Sequence, residues 1–148
     1  MARVLGIDLG SRRIGVAVSD GLGLTAQPRA TITRYGGTRD IEAIAAAVRD
    51  ADADRIVLGL PLDCEGREGP AAQRARVFGE KLAAALHLPV ELIDESFSTV
   101  EAEEVLLAAD VSRARRKQVV DKMAAAVILQ RWLDAHRGKI DETTEENP

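Results

Sequence analysis

The chain has 148 residues, of which 46% are hydrophobic and 30% are charged, and its formal net charge is −4. This length suits one domain with its own core and argues against an enzyme that closes two lobes over its substrate. Three of the four net negative charges lie in the last ten residues, so the rest of the chain is nearly neutral and can still carry a local basic patch.

Cysteine and histidine content limits the chemistry further. One cysteine excludes an internal disulfide and a cysteine-based metal cluster, and two distant histidines do not suggest a zinc site. The N-terminus has no apolar signal region, and no apolar run approaches the length of a membrane span. We therefore expect a cytoplasmic protein with no membrane partner.

The first third of the chain predicts three antiparallel strands and a helix. Two short apolar runs flank the tight connection Gly10-Ser11-Arg12-Arg13, which is typical of a hairpin. A third strand follows, and then apolar residues at helical spacing indicate a helix with Thr38 as its N-cap. The predicted elements are strands over residues 4–9, 14–18 and 29–33 and a helix over residues 38–51.

From there the pattern alternates between strands and helices. Pro70 stands near the start of the second helix, and Ser98 and Glu101 have capping-box spacing at the start of the third. The predicted elements are strands over residues 55–60 and 90–94 and helices over residues 70–86, 98–109 and 116–136. This order predicts an α/β fold with a mixed five-stranded sheet flanked by helices. We expect one domain over residues 1–138 and a disordered acidic tail over residues 139–148.

A few acidic positions differ from the acids on solvated helix faces. Asp8 lies inside the apolar first strand, where an acid is costly to bury, although it could instead cap the following turn. Asp121 projects from the apolar face of the last helix, either into a site or into a pair with Lys117. Asp94 and Glu95 end the fifth strand on opposite faces, so the pattern does not show which of them faces Asp8.

Carboxylates from three separate elements, without His or Cys support, suit the hard cations Mg²⁺ or Mn²⁺. Two such ions would activate a water molecule and stabilise the leaving oxygen of a phosphodiester, which predicts a phosphodiester hydrolase. Nearby bases could contact the phosphates of a nucleic acid, and the low aromatic content of 3% favours recognition of backbone and shape over base stacking. These bases are Arg12, Arg13, Arg113, Arg115, Arg116 and Lys117.

Four blocks of sequence follow one another between Val4 and Leu133. They are Gly6-Ile7-Asp8-Leu9-Gly10-Ser11 with Arg13 to Ala17, Gly59-Leu60-Pro61-Leu62 with Gly66, Gly69 and Pro70, Asp94-Glu95 with Ser98 to Ala102, and Lys117, Val120, Asp121, Ala124, Ala125, Ile128 and Leu129. Together, in this order, the blocks resemble the YqgF/RuvX-type family. Members of this family are described as pre-16S rRNA nucleases and, earlier, as Holliday junction resolvases, with an RNase H-like fold.

The resemblance implies that Asp8, Glu95 and Asp121 are the catalytic acids and the ligands of the Mg²⁺ or Mn²⁺ ions, and it selects Glu95 over Asp94. It also implies a sheet with the first strand at its centre. The residues expected to bind substrate are Arg12, Arg13, Thr99, Arg115, Arg116 and Lys117. Where the family usually has Arg this chain has Ser96, and where it often has Asn this chain has Asp63. We expect these departures to weaken substrate binding without removing a metal ligand.

The implied function is processing of the 5′ end of pre-16S rRNA, with structured RNA as the partner and a monomer or weak homodimer as the active form. A Holliday junction resolvase is the first alternative, and it requires a symmetric dimer. A non-catalytic protein that binds RNA or a transcription complex is the second, and Ser96 is its only support in the sequence. An actin-like ATPase or sugar kinase would explain the glycine-rich hairpin, but the chain is too short for two lobes.

Overall fold

The computed structural model describes the backbone of residues 3–146 and the side chains of residues 3–137. Each predicted strand and helix is present. In chain order they are β1 (Arg3–Leu9), β2 (Arg13–Ser19), β3 (Ala26–Thr33), α1 (Gly37–Ala51), β4 (Ala53–Leu60), α2 (Pro70–Leu86), β5 (Val90–Asp94), α3 (Ser98–Ala108) and α4 (Arg113–Glu146).

The five strands form one mixed sheet in the order β3-β2-β1-β4-β5. Strand β1 pairs antiparallel with β2 and parallel with β4, and β5 pairs parallel with β4. This arrangement confirms the predicted mixed α/β sheet and the central place of β1. Because β1, β4 and β5 run in the same direction, their carboxyl ends meet at one edge of the sheet, where α/β proteins commonly place their sites.

Side chains alternate between the two faces of β1, and each face packs against different helices. Leu5 and Ile7 are fully buried in a cluster that includes Ile44 of α1 and Leu82 of α2. The other face packs against α4, which runs across β1, β2, β3 and β4. Asp8 belongs to this second face, so its carboxyl group points toward α4 rather than toward the large aliphatic core.

The start of α1 differs from the prediction. Gly36, with a φ of 85°, occupies the N-cap position that was predicted for Thr38. Asp40, inside the first turns, accepts hydrogen bonds from the backbone N–H groups of Tyr35 at 2.9 Å and Gly36 at 3.2 Å. A carboxylate in the first turns of α1 therefore satisfies backbone N–H groups of the preceding loop, and Thr38 is exposed.

The predicted capping box of α3 is also wrong. Phe97 occupies the N-cap position in a left-handed conformation with a φ of 62°, and Ser98 is buried. Glu101 pairs with Arg131 of α4 at 2.8 Å instead of returning to the helix start. The tertiary ion pair therefore takes the carboxylate that local capping would use.

The last helix is longer than predicted at both ends, because it begins at Arg113 and its backbone continues to Glu146. Side chains beyond Arg137 lie outside the described residues, so the domain boundary at residue 138 and the disorder of the tail stay predictions. Within the described residues, no helix is long and apolar enough to cross a membrane.

Candidate active site

The sheet brings Asp8 and Glu95 together at its carboxyl edge. Asp8 lies near the end of β1, and Glu95 follows β5 directly. The backbone N–H of Glu95 donates to the carbonyl of Leu60 at 3.2 Å, which extends the pairing of β4 with β5 by one residue. This pairing holds the Glu95 side chain against Asp8, and their carboxyl groups are hydrogen-bonded.

Asp94, the other candidate at this position, has a different role. Its exposed carboxylate accepts hydrogen bonds from the backbone N–H of Ser96 at 2.9 Å and from the Ser96 hydroxyl at 2.6 Å. These hydrogen bonds close the turn after β5 and hold the pKa of Asp94 below its usual value. Ser96 therefore shapes the turn that positions Glu95.

The Asp8–Glu95 pair is electrostatically strained. Burial, together with the hydrogen bond and charge of Asp8, raises the pKa of Glu95 to about 9. Burial also raises the pKa of Asp8, with a further contribution from the charge of Asp121, while the hydrogen bond from Glu95 acts in the opposite direction. The raised pKa favours a proton on Glu95 at neutral pH, which relieves the repulsion between the two crowded carboxyl groups.

Asp121 lies beside this pair but binds an arginine. Its carboxylate accepts a hydrogen bond from the Arg13 Nε at 2.7 Å, and 28% of its side chain is exposed. Lys117 is exposed and has no ion pair among the side chains of residues 3–137, so the predicted alternative of an Asp121–Lys117 pair is wrong. The hairpin residue Arg13 replaces it because the start of β2 lies against the N-terminal part of α4.

Two strand glycines provide the space for this arrangement. Gly15 is paired with Asp8 across β1 and β2, and a Cβ atom there would lie 2.0 Å from the backbone carbonyl oxygen of Asp121. A Cβ atom at Gly59 of β4 would lie 3.0 Å from both the Cβ and Oε2 atoms of Glu95. Sequence reasoning missed both roles, although a glycine inside a strand signals the close approach of another group.

The carboxyl groups of Asp8, Glu95 and Asp121 offer only oxygen atoms as metal ligands, which suits a hard cation. In the described part of the chain, however, no three His, Cys, Asp or Glu residues stand ready to hold one metal ion. Asp8 and Glu95 are hydrogen-bonded to each other, whereas the Asp121 carboxylate is paired with Arg13.

The residues that the sequence predicted to bind substrate divide into exposed ones and one that is engaged within the protein. Arg12, Thr99 and Arg115 are exposed near the candidate site or on the first turns of the helices that flank it. Arg116 is engaged within the protein, since its Nη1 donates to the carbonyl of Val111 at 2.8 Å. Arg116 therefore secures the connection between α3 and α4 in this structure.

One basic residue near the site, Arg131, was not predicted from the sequence. Arg131 of α4 donates to the backbone carbonyl of Asp94 at 3.1 Å and to the carboxylate of Glu101 at 2.8 Å. Its charge opposes the rise in the pKa of Glu95. Arg131 thus ties α4 and α3 to the loop that carries Glu95.

Two relatives with known names match most of this chain. A relative from Myxococcus xanthus named "Putative pre-16S rRNA nuclease" is 53% identical over 135 residues, covering 91% of this chain and 89% of the relative. A relative of the same name from Pelotomaculum thermopropionicum is 49% identical over 147 residues, covering 99% of this chain and 96% of the relative.

Solved structures show the same fold at low sequence identity. Thermus thermophilus RuvC in complex with a Holliday junction substrate has a TM-score of 0.57 and 16% identity, over 93% of this chain and 97% of RuvC. The Fowlpox virus resolvase in complex with Holliday junction DNA has a TM-score of 0.59 and 9% identity, over 90% of this chain and 97% of the resolvase. The family model for RuvX, described as Holliday junction resolvase, matches residues 2–135. The chain therefore belongs to the RuvX family of nucleases.

Proposed function

We propose that this protein is a divalent-metal-dependent endonuclease that processes the 5′ end of pre-16S rRNA during ribosome biogenesis in the cytoplasm. The observation that carries the proposal is the hydrogen-bonded Asp8–Glu95 pair at the carboxyl edge of the sheet, with Asp121 beside it. The names of relatives that are about half identical over most of the chain favour pre-16S rRNA as the substrate.

The acids fit Mg²⁺ or Mn²⁺ by their chemistry. Asp8, Glu95 and Asp121 would hold the ions, because hard cations prefer oxygen ligands. The positive charge of the ions would also take over the role of the proton that now relieves the repulsion between Asp8 and Glu95. When bound, a pair of such ions activates a water molecule and stabilises the leaving oxygen of the phosphodiester.

The chain's own bases would hold the RNA backbone around these acids. Arg12 and Arg13 lie at the β1–β2 hairpin, and Arg115 and Lys117 lie on the exposed first turns of α4. Their guanidinium and ammonium groups suit phosphate oxygens, which carry affinity without reading the base sequence. Arg13 also supplies a counter-charge to Asp121.

A Holliday junction resolvase is the second candidate, and the description of the family model favours it. Paired cuts across a four-way junction would require two copies of the Asp8 site related by a two-fold axis. The structure favours a purely non-catalytic role less than the sequence did. Ser96, the only support for that role in the sequence, closes the turn that positions Glu95.

A paired cleavage assay with Mg²⁺ or Mn²⁺ separates these functions. Wild type and Asp8→Asn would each receive a 5′-extended pre-16S rRNA fragment and a synthetic four-way DNA junction. We expect the wild type to cut the RNA and Asp8→Asn to leave it intact. Symmetric cutting of the junction with intact RNA would favour the resolvase, and no cutting of either substrate would favour the binding role.

A further inference from the structure

A cavity of about 760 Å³ opens on the face of the sheet that packs against α1 and α2. It begins at Leu9 and Gly10, directly after Asp8, so the cavity and the candidate active site share one edge of the sheet. Ile41 of α1 and Phe78 of α2 supply apolar lining. The volume lies within the range of about 300–1,000 Å³ that is typical of ligand sites.

Arg34 is held in a fixed position in this cavity. Its Nε donates to the buried carboxylate of Asp40 at 3.1 Å, and its Nη1 donates to the carbonyl of Gly10 at 2.9 Å. Its guanidinium carbon lies 5.9 Å from the centre of the Phe78 ring. The side chain is still 28% exposed, so a fixed guanidinium plane with further N–H donors is available to a ligand.

Two more cations lie on the α2 side of the cavity. Arg74 and Lys81 are seven residues apart on one face of the helix, with Val77 and Phe78 between them, and all four line the cavity. Both cations are exposed, and neither has an ion pair among the described side chains. Because Arg34 neutralises Asp40, the cavity carries the net positive charge of Arg74 and Lys81 beside an apolar floor.

We propose that this cavity binds an unpaired nucleotide of the RNA strand next to the scissile phosphate. The base would lie on the apolar floor against the Arg34 plane, and Arg74 and Lys81 would hold the neighbouring phosphates. The strand would reach the cavity from the Asp8 site by passing the hairpin tip at Arg12. This inference rests on the proposed function, which supplies RNA as the substrate.

Binding measured in EDTA tests the cavity separately from cleavage. Two labelled RNA hairpins, identical except that one carries a short unpaired tail, would be titrated with protein and followed by fluorescence anisotropy. The test variant is Arg74→Gln/Lys81→Gln. The control is Arg29→Gln/Arg49→Gln, which removes the same charge from two exposed arginines that do not line the cavity.

We expect the test variant to lose about tenfold or more in affinity for the tailed RNA and to bind the untailed RNA within about threefold of wild type. The control should bind both RNAs within that same narrow range. Equal affinity of the test variant and wild type for the tailed RNA, or an equal loss for both RNAs, would overturn the cavity assignment alone. A wild type that binds neither RNA would overturn the proposed function and this inference with it.

Discussion

The two faces of the sheet are built from different residues. The face toward α1 and α2 carries large aliphatic side chains with no exposed surface, including Leu5, Ile7 and Ile56. The face toward α4 includes small residues such as Gly15 and Ala17, and at Gly15 the helix backbone comes so close that a Cβ atom would collide with it. Both faces bury apolar side chains, but the face toward α4 also brings carboxyl groups from separate elements together.

The aliphatic side chains and the acids also contribute to the free energy of folding with opposite signs. Burying large aliphatic groups stabilises the fold by about 1.5–3 kcal/mol for each side chain. Burying Asp8 and Glu95 side by side acts in the opposite direction, as their raised pKa values show. Substitution of an acid should therefore affect cleavage, whereas substitutions that disturb the packing of either face should affect stability.

Asp8→Asn should have the largest effect, and it should act on catalysis. Loss of one carboxylate from the proposed metal ligands should lower the cleavage rate by at least about 1,000-fold, which corresponds to about 4 kcal/mol. Because the substitution also relieves the crowding with Glu95, the melting temperature should not fall. Asp54→Asn, the same change at an exposed position of β4, should keep normal cleavage. An Asp8→Asn protein that cleaves at the wild-type rate would remove Asp8 from the mechanism.

Gly15→Ala should have the next largest effect, because the added methyl group cannot avoid the Asp121 carbonyl. Moving α4 away from the sheet should reduce the free energy of unfolding by about 3 kcal/mol and also lower cleavage. Urea unfolding measures the first effect. Gly21→Ala is the matched control, since a Cβ atom there would meet nothing within 4 Å. Equal stability of the two variants would contradict the close approach of α4.

Asp40→Asn, in α1, should reduce the free energy of unfolding by an amount that depends on pH. Although burial acts to raise the pKa of Asp40, hydrogen bonds from Tyr35, Arg34 and Gly36 outweigh it and hold this pKa below its ordinary value. A carboxylate with a lowered pKa stabilises the fold above its unfolded pKa of about 3.9, and this contribution is lost as the pH falls through the folded value.

At pH 7 we expect Asp40→Asn to reduce the free energy of unfolding by about 2 kcal/mol. The gap from wild type should shrink as the pH is lowered below about 4. Asp50→Asn, at an exposed position of the same helix, should stay within about 0.5 kcal/mol of wild type. A gap that is constant from pH 7 to pH 3 would show that the Asp40 charge is not responsible.

Ile56→Val should have the smallest effect and should act on stability alone. Removing one methylene group from the fully buried Ile56 should cost about 1 kcal/mol of unfolding free energy. Cleavage by the folded protein should remain within about twofold of wild type, because the substitution lies on the face opposite the acids. A large loss of cleavage without loss of stability would show that the two faces are not independent.

Much of the fold could be predicted from the sequence, because periodicity within a short segment reports which residues face a core. The strand over residues 14–18 and the helix over residues 70–86 were found in this way, and the structure has them at Arg13–Ser19 and Pro70–Leu86. Helix starts were predicted less well. Gly36 and Phe97 take the N-cap positions with positive φ angles of 85° and 62°, which the helical periodicity does not report.

Of the residues in the candidate site, only the acids could be predicted from the sequence. Asp8 and Asp121 could be singled out because carboxylates interrupt apolar patterns, whereas the choice of Glu95 needed a family resemblance. The partner of Asp121 could not be read locally, because Arg13 lies 108 positions away along the chain. The same applies to the cavity, whose lining comes from β1, α1, α2 and the loops between them.

The most direct test of the central claim is a calorimetric titration of the protein with Mn²⁺. Wild type and Asp54→Asn should bind the ion with the same affinity, and Asp8→Asn should bind it at least about tenfold more weakly. Gly15→Ala should also bind it more weakly, since α4 can no longer bring Asp121 close to Asp8. If Asp8→Asn binds Mn²⁺ as tightly as wild type, the face of the sheet toward α4 does not hold the metal site that we propose.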